Sequence, residues 1–364
     1  MSKSISTLPD NLSVRDLPLP SFSDKETVEA YLKSIPTAWE YFILLPTKIQ
    51  QELINFCLGK QGLKVTYDSV FRKIFNPQSK NGVIRLESLL SAILNRQVRI
   101  IKIIPREGTQ LSEHAGFVIM DILVQLDDGS YANVEMQKIG YNFPLARADC
   151  YISDIIMRQY VDAKAALGNN FTFRAMHKVY CIILMEQSPK GFCTDTGSYV
   201  HRRRATFDTG IYTQDAGLHE EIFICLDNFR SIVHNITKNS NILEAWLTFL
   251  SATKPEDIHS LISAFPDFAD IYQEIADFSK KPEELMFWFS QELLKMDKNL
   301  ERLMAEEAQE EARLAKEELK LFKEQAQEEI WLLRKELSAA RKELATAKEQ
   351  TANRVVVLKQ ESEN

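Results

Sequence analysis

Asp121, Glu135 and Gln137 are the residues of this chain whose types and spacing could do chemistry. Asp121 stands inside an almost wholly apolar run, residues 116–126; Asp-Asp-Gly-Ser follows at 127–130, and a second strand-like run occupies 131–137. Two such runs around an Asp-Gly turn predict a β-hairpin. Side chains alternate faces along a strand, so Glu135 and Gln137 project to the same side. An apolar run of this kind is buried, and a buried carboxylate is costly unless it is paired or holds a metal. Two carboxylates meeting at a sheet edge beside another polar group supply the hard oxygen donors that a Mg²⁺ site for phosphodiester hydrolysis needs. A purely structural alternative remains open here. Asp121 would then cap a loop or pair with an arginine such as Arg147, and Glu135 and Gln137 would line the exposed face of a two-stranded ribbon.

The elements that must position these residues follow from periodicity and punctuation. Residues 24–59 predict helix, with Ser23 or Asp24 as cap and Gly59 as stop. Residues 85–96 predict an amphipathic helix with Leu86, Leu89, Leu90 and Ile93 as its stripe and Glu87 at the stripe's edge. A strand over 98–104 leads into the hairpin. A helix over 144–167 follows, with Arg147, Tyr151, Asp154 and Arg158 on one face. Residues 179–185 form a continuous apolar run typical of a central strand, and 221–226 predict another. Residues 242–294 predict several helices divided by Pro255, Pro266 and Pro282.

Beyond residue 300 Glu, Lys, Ala and Leu dominate. Leu319, Ala326, Leu333, Ala340 and Ala347 recur every seven residues, with Ile330, Leu337 and Leu344 in the companion position. That is a heptad pattern, thin in large apolar residues and interrupted at Lys323 and Thr351. The expectation is self-association through this helix, a solitary charged helix being the alternative.

The chain has 364 residues, 45% of them hydrophobic, and a formal net charge of −7. It is long enough for a sizeable core with appendages. No run of about 18 apolar residues predicts a membrane span. Residues 1–22 lack the apolar segment of a secretory signal and are expected to be disordered. Cys57, Cys150, Cys181, Cys193 and Cys225 form no metal-type pair; Cys150, Cys181 and Cys225 fall in apolar patterns and read as reduced core residues of a cytoplasmic protein. The acidic total argues against nucleic-acid binding, but basic stretches at 96–106 and 201–204 could form a local groove. Zinc, nucleotide-loop and serine-hydrolase motifs are absent from the sequence.

Five pieces carry a resemblance: Tyr67-Asp-x-x-Phe71-x-Lys73-Ile-Phe75, the run from Leu86 to Leu94, Asp121-Ile-Leu, Val134-Glu-Met-Gln137 and Arg147-Ala-x-x-Tyr151. In this order and spacing the chain resembles the PD-(D/E)XK nuclease superfamily, in particular its recombination-promoting nuclease and transposase branch. The resemblance implies an α/β fold, a restriction-endonuclease-like mixed sheet flanked by helices, followed by a helical region and a coiled-coil-like C-terminal helix. The expected divisions are 1–22, a helical extension at 23–61, the nuclease-like core at 62–235, a helical subdomain at 236–299, the charged helix at 300–350 and a tail at 351–364.

The resemblance also implies roles. Asp121 and Glu135 would hold Mg²⁺, with Mn²⁺ as a substitute, and the Met136 carbonyl would add a ligand. Glu87 would be a further carboxylate, and Gln137 would position water where the superfamily usually carries lysine. Lys138 points to the other face of a regular strand. Lys73, Arg147, Tyr151, Arg202 and Arg203 are candidate DNA contacts, each with a bland alternative as a solvated or internally paired residue. The expected function is a metal-dependent DNA endonuclease acting on DNA as a homo-oligomer. The alternative is a catalytically decayed DNA-binding protein or coiled-coil scaffold, motivated by Gln137 and the acidic total.

Overall fold

The computed structural model describes residues 22–105, 120–139, 145–192, 197–209 and 217–287, residue 289, and scattered positions between 313 and 337. The chain forms two compact units, Met1–Lys295 and Met296–Asn364. In the second unit the described positions are helical; Leu319, Phe322, Ile330, Trp331 and Leu337 are exposed there. Half of the heptad positions, Leu333, Ala340, Leu344 and Ala347, lie outside the described residues.

The first unit is built on a six-stranded mixed sheet in the order β1-β2-β3-β4-β6-β5. The strands are β1 (Ile100–Ile103), β2 (Ile122–Leu126), β3 (Tyr131–Ile139), β4 (Val179–Gln187), β5 (Val200–Arg204) and β6 (His219–Cys225). β1, β2 and β3 run antiparallel, β3, β4 and β6 run parallel, and β5 closes the far edge antiparallel to β6. β4 is central because it is apolar on both faces, with residues 179 and 181–186 buried.

Strand alternation sorts side chains to two cores. Ala132, Val134, Met136, Ile182, Leu184, Ile222 and Ile224 enter the larger cluster, with residues from the N-terminal helices, from α7 (Leu226–Ile232) and from α8 (Ile242–Ser251), α9 (Pro255–Ala264) and α10 (Ala269–Phe278). Leu123, Cys181, Ile183, Met185 and Phe223 face the other way and pack against Ala148, Tyr151, Ile152 and Ile155 of α6 (Leu145–Leu167). Asn133, Glu135 and Gln137 therefore share the α6 side of β3. The segments drawn from the sequence at 23–61, 62–235 and 236–299 all contribute to the larger cluster.

Several boundaries differ from expectation for local reasons. The stretch expected as one N-terminal helix is three, α1 (Lys25–Lys33), α2 (Pro36–Leu44) and α3 (Thr47–Cys57), because Pro36 starts one and Pro46 precedes the next. Asp24 caps α1, accepting from the Thr27 N–H at 2.8 Å, and Gly59 lies just past α3 with φ of 65°. A short helix, α4 (Asp68–Ile74), precedes α5 (Lys80–Leu94). α5 starts five residues ahead of the predicted position. Its polar first turn shows no apolar period, but Ser79 caps it by accepting from the Gly82 N–H at 3.0 Å. Prolines divide the later helices as predicted, α8 (Ile242–Ser251), α9 (Pro255–Ala264) and α10 (Ala269–Phe278), with helix again at 282–287.

Two expectations are corrected. Cys150 is exposed on α6 rather than in the core, whereas Cys57, Cys181 and Cys225 are buried. The basic run 201–204, expected as a loop, is edge strand β5. It evades the apolar signature of a strand because its cross-strand neighbours on β6 are acids: Arg203 lies opposite Glu221 and Arg204 opposite Glu220. Cys193, the segment 106–119 and residues 1–21 lie outside the described residues.

Candidate metal centre

The turn between β2 and β3 sets the register that brings the two acids together. Gly129 adopts φ of +84° and its N–H donates to the Leu126 carbonyl at 2.9 Å, while the Leu126 N–H donates to the Ser130 carbonyl at 2.8 Å. A side chain at residue 129 would be strained and would meet the His177 ring at 2.4 Å. From this turn the ladder runs Gln125 opposite Tyr131 to Ile122 opposite Val134, so the next residues, Asp121 and Glu135, are cross-strand neighbours. Asp121 occupies a bend at the start of β2 rather than the middle of a longer strand, and the preceding residues 116–119 lie outside the described set.

The two carboxylates are tied to the same backbone. The Asp121 N–H donates to Glu135 Oε1 at 3.1 Å, and the Met136 N–H donates to Asp121 Oδ2 at 3.0 Å. Glu135 is 1% exposed. Burial first, then the charge of Asp121, pushes its carboxyl up to about 8, against the lowering effects of the Asp121 N–H, the Arg147 charge and a hydrogen bond from the Asn133 side chain. Like charges directly opposite on neighbouring strands repel.

The groups around the pair come from β3 and α6. Gln137 is half-buried, two residues beyond Glu135 on the same face. Asn133 is fully buried, and its amide lies 3.8 Å from Cys181 Sγ. Arg147 is exposed on the first turn of α6; its Nε donates to the Tyr151 hydroxyl at 2.7 Å and its guanidinium lies 5.3 Å from the Tyr151 ring centre. Tyr151 is 3% exposed. Burial and then the charge of Glu135 push its hydroxyl well above the ordinary tyrosine range, so both groups sense the acid pair. Arg158 joins α6 to both flanks of the segment before Asp121, donating to the Pro105 carbonyl at 2.9 Å and to Met120 Sδ at 3.7 Å, and it pairs with Asp154 at 2.9 Å.

Other candidates are placed elsewhere. The carboxylate of Glu87 accepts from the Ile100 N–H at 2.8 Å. Ile100 pairs with Leu126, at the far end of β2 from Asp121. Five residues of strand separate Leu126 from Asp121, roughly 16 Å, so Glu87 holds β1 onto α5 and is not brought to the acid pair. Arg202 donates to Glu220 and to the Ile93 carbonyl, both at 2.6 Å, and Arg204 donates to Glu220 at 2.7 Å. Burial opposes the charge of Glu220, but hydrogen bonds from Arg204 and Arg202 hold its carboxyl below the usual range. Arg203 pairs with the fully buried Glu221 and with Asp149 of α6 at 2.5 Å. These arginines tie β5 to β6 and α6, the internally paired alternative that their sequence left open. Lys73 is exposed on α4. The side chain of Lys138 lies outside the described residues.

Sequence reasoning missed Asn133 and Arg158 as parts of the site. The signal for Asn133 was present, since a polar residue stands among Ala132, Val134 and other strand formers two positions before Glu135.

Among the described residues, no group of three or more His, Cys, Asp or Glu side chains has the arrangement of a metal site. The donor set is thus two carboxylates. It fits a Mg²⁺-like ion, which is bound through one or two carboxylates and keeps several waters.

A mixed sheet with flanking helices and a paired Asp–Glu at one end of its central hairpin is the architecture of the restriction-endonuclease-like class. A family model described as PD-(D/E)XK nuclease family transposase matches residues 65–305, and the chain belongs to that family. Neither a curated protein nor a solved structure matches the chain.

Proposed function

We propose that the protein is a metal-dependent DNA endonuclease in which Asp121 and Glu135 hold Mg²⁺, with Mn²⁺ able to replace it. The observation that carries the proposal is the buried Glu135 facing Asp121 across β2 and β3, two acids close enough that the charge of Asp121 helps to raise the Glu135 carboxyl. A positive charge beside the pair favours its ionised form. A bound ion would supply it, together with Lewis-acid polarisation of the phosphate and activation of water.

The chain's own residues divide the remaining work. Asp121 and Glu135 bind through oxygens oriented by the Met136 and Asp121 N–H groups. The Met136 carbonyl adds a third oxygen. Gln137 orients the attacking water through its amide and does not act as a base, because an amide carries no titratable proton acceptor near neutral pH. Arg147, steadied by Tyr151, stabilises negative charge on the scissile phosphate. Lys73 is a candidate contact to the DNA backbone.

The partner is DNA, and homo-oligomerisation through residues 300–350 would bring two cores to one duplex. The family description names a transposase, which supports a setting in recombination and mobile elements. No helix among the described residues is long and apolar enough to cross a membrane; buried free thiols at Cys57 and Cys181 support a reducing, cytoplasmic location.

Cleavage of supercoiled plasmid is the test. Nicking or linearisation that requires Mg²⁺ or Mn²⁺ and stops in EDTA supports the proposal. A second reading, a decayed nuclease that binds DNA without cutting it, is favoured by Gln137 and predicts retained binding with no cleavage in either ion.

A further inference from the structure

A cleft of about 390 Å³ opens beside Asp121. Its lining combines the polar side chains of Arg72, Asn76 and Gln78 with the partly exposed apolar side chains of Pro77, Ile103 and Ile104. We infer that this cleft takes one unpaired nucleotide of the DNA next to the scissile phosphate. The protein would then act on single-stranded, bulged or frayed DNA in preference to an intact duplex. The inference rests on the assignment of Asp121 and Glu135 as the cutting site.

Size and chemistry both point to this ligand. The volume falls at the small end of ligand pockets, about 300–1,000 Å³. It suits one nucleotide and is too small for a stacked base pair. Extruded bases are held between apolar side chains and read by hydrogen bonds along their edges. Here Pro77, Ile103 and Ile104 offer the apolar surface, while the amides of Asn76 and Gln78 can both donate and accept. Arg72, beside Asp68 on α4, adds donors where sugar and phosphate would lie.

The walls are preformed. The Ile104 N–H donates to the Leu123 carbonyl at 3.0 Å, extending the β1–β2 ladder along the apolar side. On the polar side Asn76 Oδ1 accepts from the Gln78 N–H at 2.9 Å, and the Ser79 N–H donates to the Asn76 carbonyl at 3.0 Å. Gly82 lets this turn lie directly on the first turn of α5, since a Cβ there would meet the Asn76 carbonyl oxygen at 2.1 Å. Asp121 lines the same cleft, so a nucleotide seated in it places its own phosphate at the acid pair.

The experiment uses the full chain and one DNA sequence in three forms: duplex, duplex with a one-nucleotide bulge, and single strand. Cleavage is followed in Mg²⁺ and binding by fluorescence anisotropy in EDTA, for the wild type and for Gln78→Trp, whose indole fills the cleft from an exposed position. The wild type should cut and bind the bulged and single-stranded forms about tenfold or more better than duplex, since an unpaired base spares the cost of extrusion. Gln78→Trp should bring that ratio close to one. Equal handling of all three forms by the wild type, or a preference that survives Gln78→Trp, overturns the cleft assignment. Absence of cleavage with a binding preference that Gln78→Trp removes keeps the cleft and overturns the nuclease assignment instead.

Discussion

Asp121 and Glu135 face each other across β2 and β3, and the Asp121 N–H donates to the Glu135 carboxylate at 3.1 Å while the Asp121 carboxylate accepts from Met136 at 3.0 Å. Backbone and side chains are thus locked into one unit at the end of the hairpin. Small shifts in either strand move both acids together. The site's geometry is set by the sheet, not by loops, which favours a fixed pair of oxygens.

The pair makes stability depend on pH in a definite direction. Glu135 titrates near 4.5 when unfolded and is pushed up to about 8 when folded. A raised acid pKa stabilises the fold fully below 4.5, and that contribution is lost as pH rises through about 8. In EDTA the melting temperature of the wild type should fall between pH 5 and pH 8, by at most about 1.4 kcal/mol of stability per pH unit from this group. Glu135→Gln should flatten the slope, and Mn²⁺ should raise the wild-type melting temperature more at pH 8 than at pH 5. An equal slope in Glu135→Gln would show that other groups set the dependence.

The hairpin and both acids are legible in the sequence because an Asp-Gly turn and a lone acid in an apolar run are local signals. The partner helix α6 is legible too, and the predicted face appears as the Arg147–Tyr151 and Asp154–Arg158 contacts. Glu87 was not legible. Its distance from the pair depends on β1 register, and a helix angle says nothing of which strand end a side chain meets. β5 was hidden for a similar reason, since Arg202 to Arg204 look solvated until Glu220 and Glu221 are known to lie beside them. The N-terminal helix breaks at Pro36 and Pro46 were visible in the sequence and outweigh its helical pattern.

Arg203 carries a stability prediction. It pairs with Glu221, which is fully buried and whose second oxygen has no hydrogen-bond partner among the described residues, while the Arg203 side chain itself is 40% exposed. Leaving a buried polar group unsatisfied costs about 1–3 kcal/mol. Arg203→Ala should therefore lower denaturant stability by that order, and Arg203→Ala with Glu221→Gln should recover part of it. A loss below about 1 kcal/mol, the usual worth of an exposed pair, would mean the pair is solvated.

Arg147 carries a catalytic prediction. Its charge is the nearby cation that favours ionised Glu135. Arg147→Ala should lower kcat by about tenfold to a thousandfold, as loss of one electrostatic stabiliser does, with a melting temperature within a few degrees of wild type. Tyr151→Phe removes only the hydroxyl that holds Arg147 and should cost less. Unchanged kcat in Arg147→Ala would place Arg147 outside the reaction.

The C-terminal heptads carry a prediction about products. Leu333→Asp with Leu337→Asp places charges in the seam. Sedimentation should show a shift from oligomer to monomer, and plasmid products should shift from linear to nicked. Linear product formed at the wild-type rate by a monomeric variant would remove any role of the tail in pairing two cores.

The most direct measurement is a calorimetric titration of Mn²⁺ into protein stripped of metal at pH 7.5, for the wild type, Asp121→Asn and Glu135→Gln. Each substitution keeps the shape of its side chain and one acceptor oxygen while removing the charge. The account predicts binding by the wild type with release of protons, because Glu135 is partly protonated near that pH, and binding at least about tenfold weaker in each variant. Equal Mn²⁺ affinity in all three proteins would contradict it and leave Asp121 and Glu135 as a structural pair.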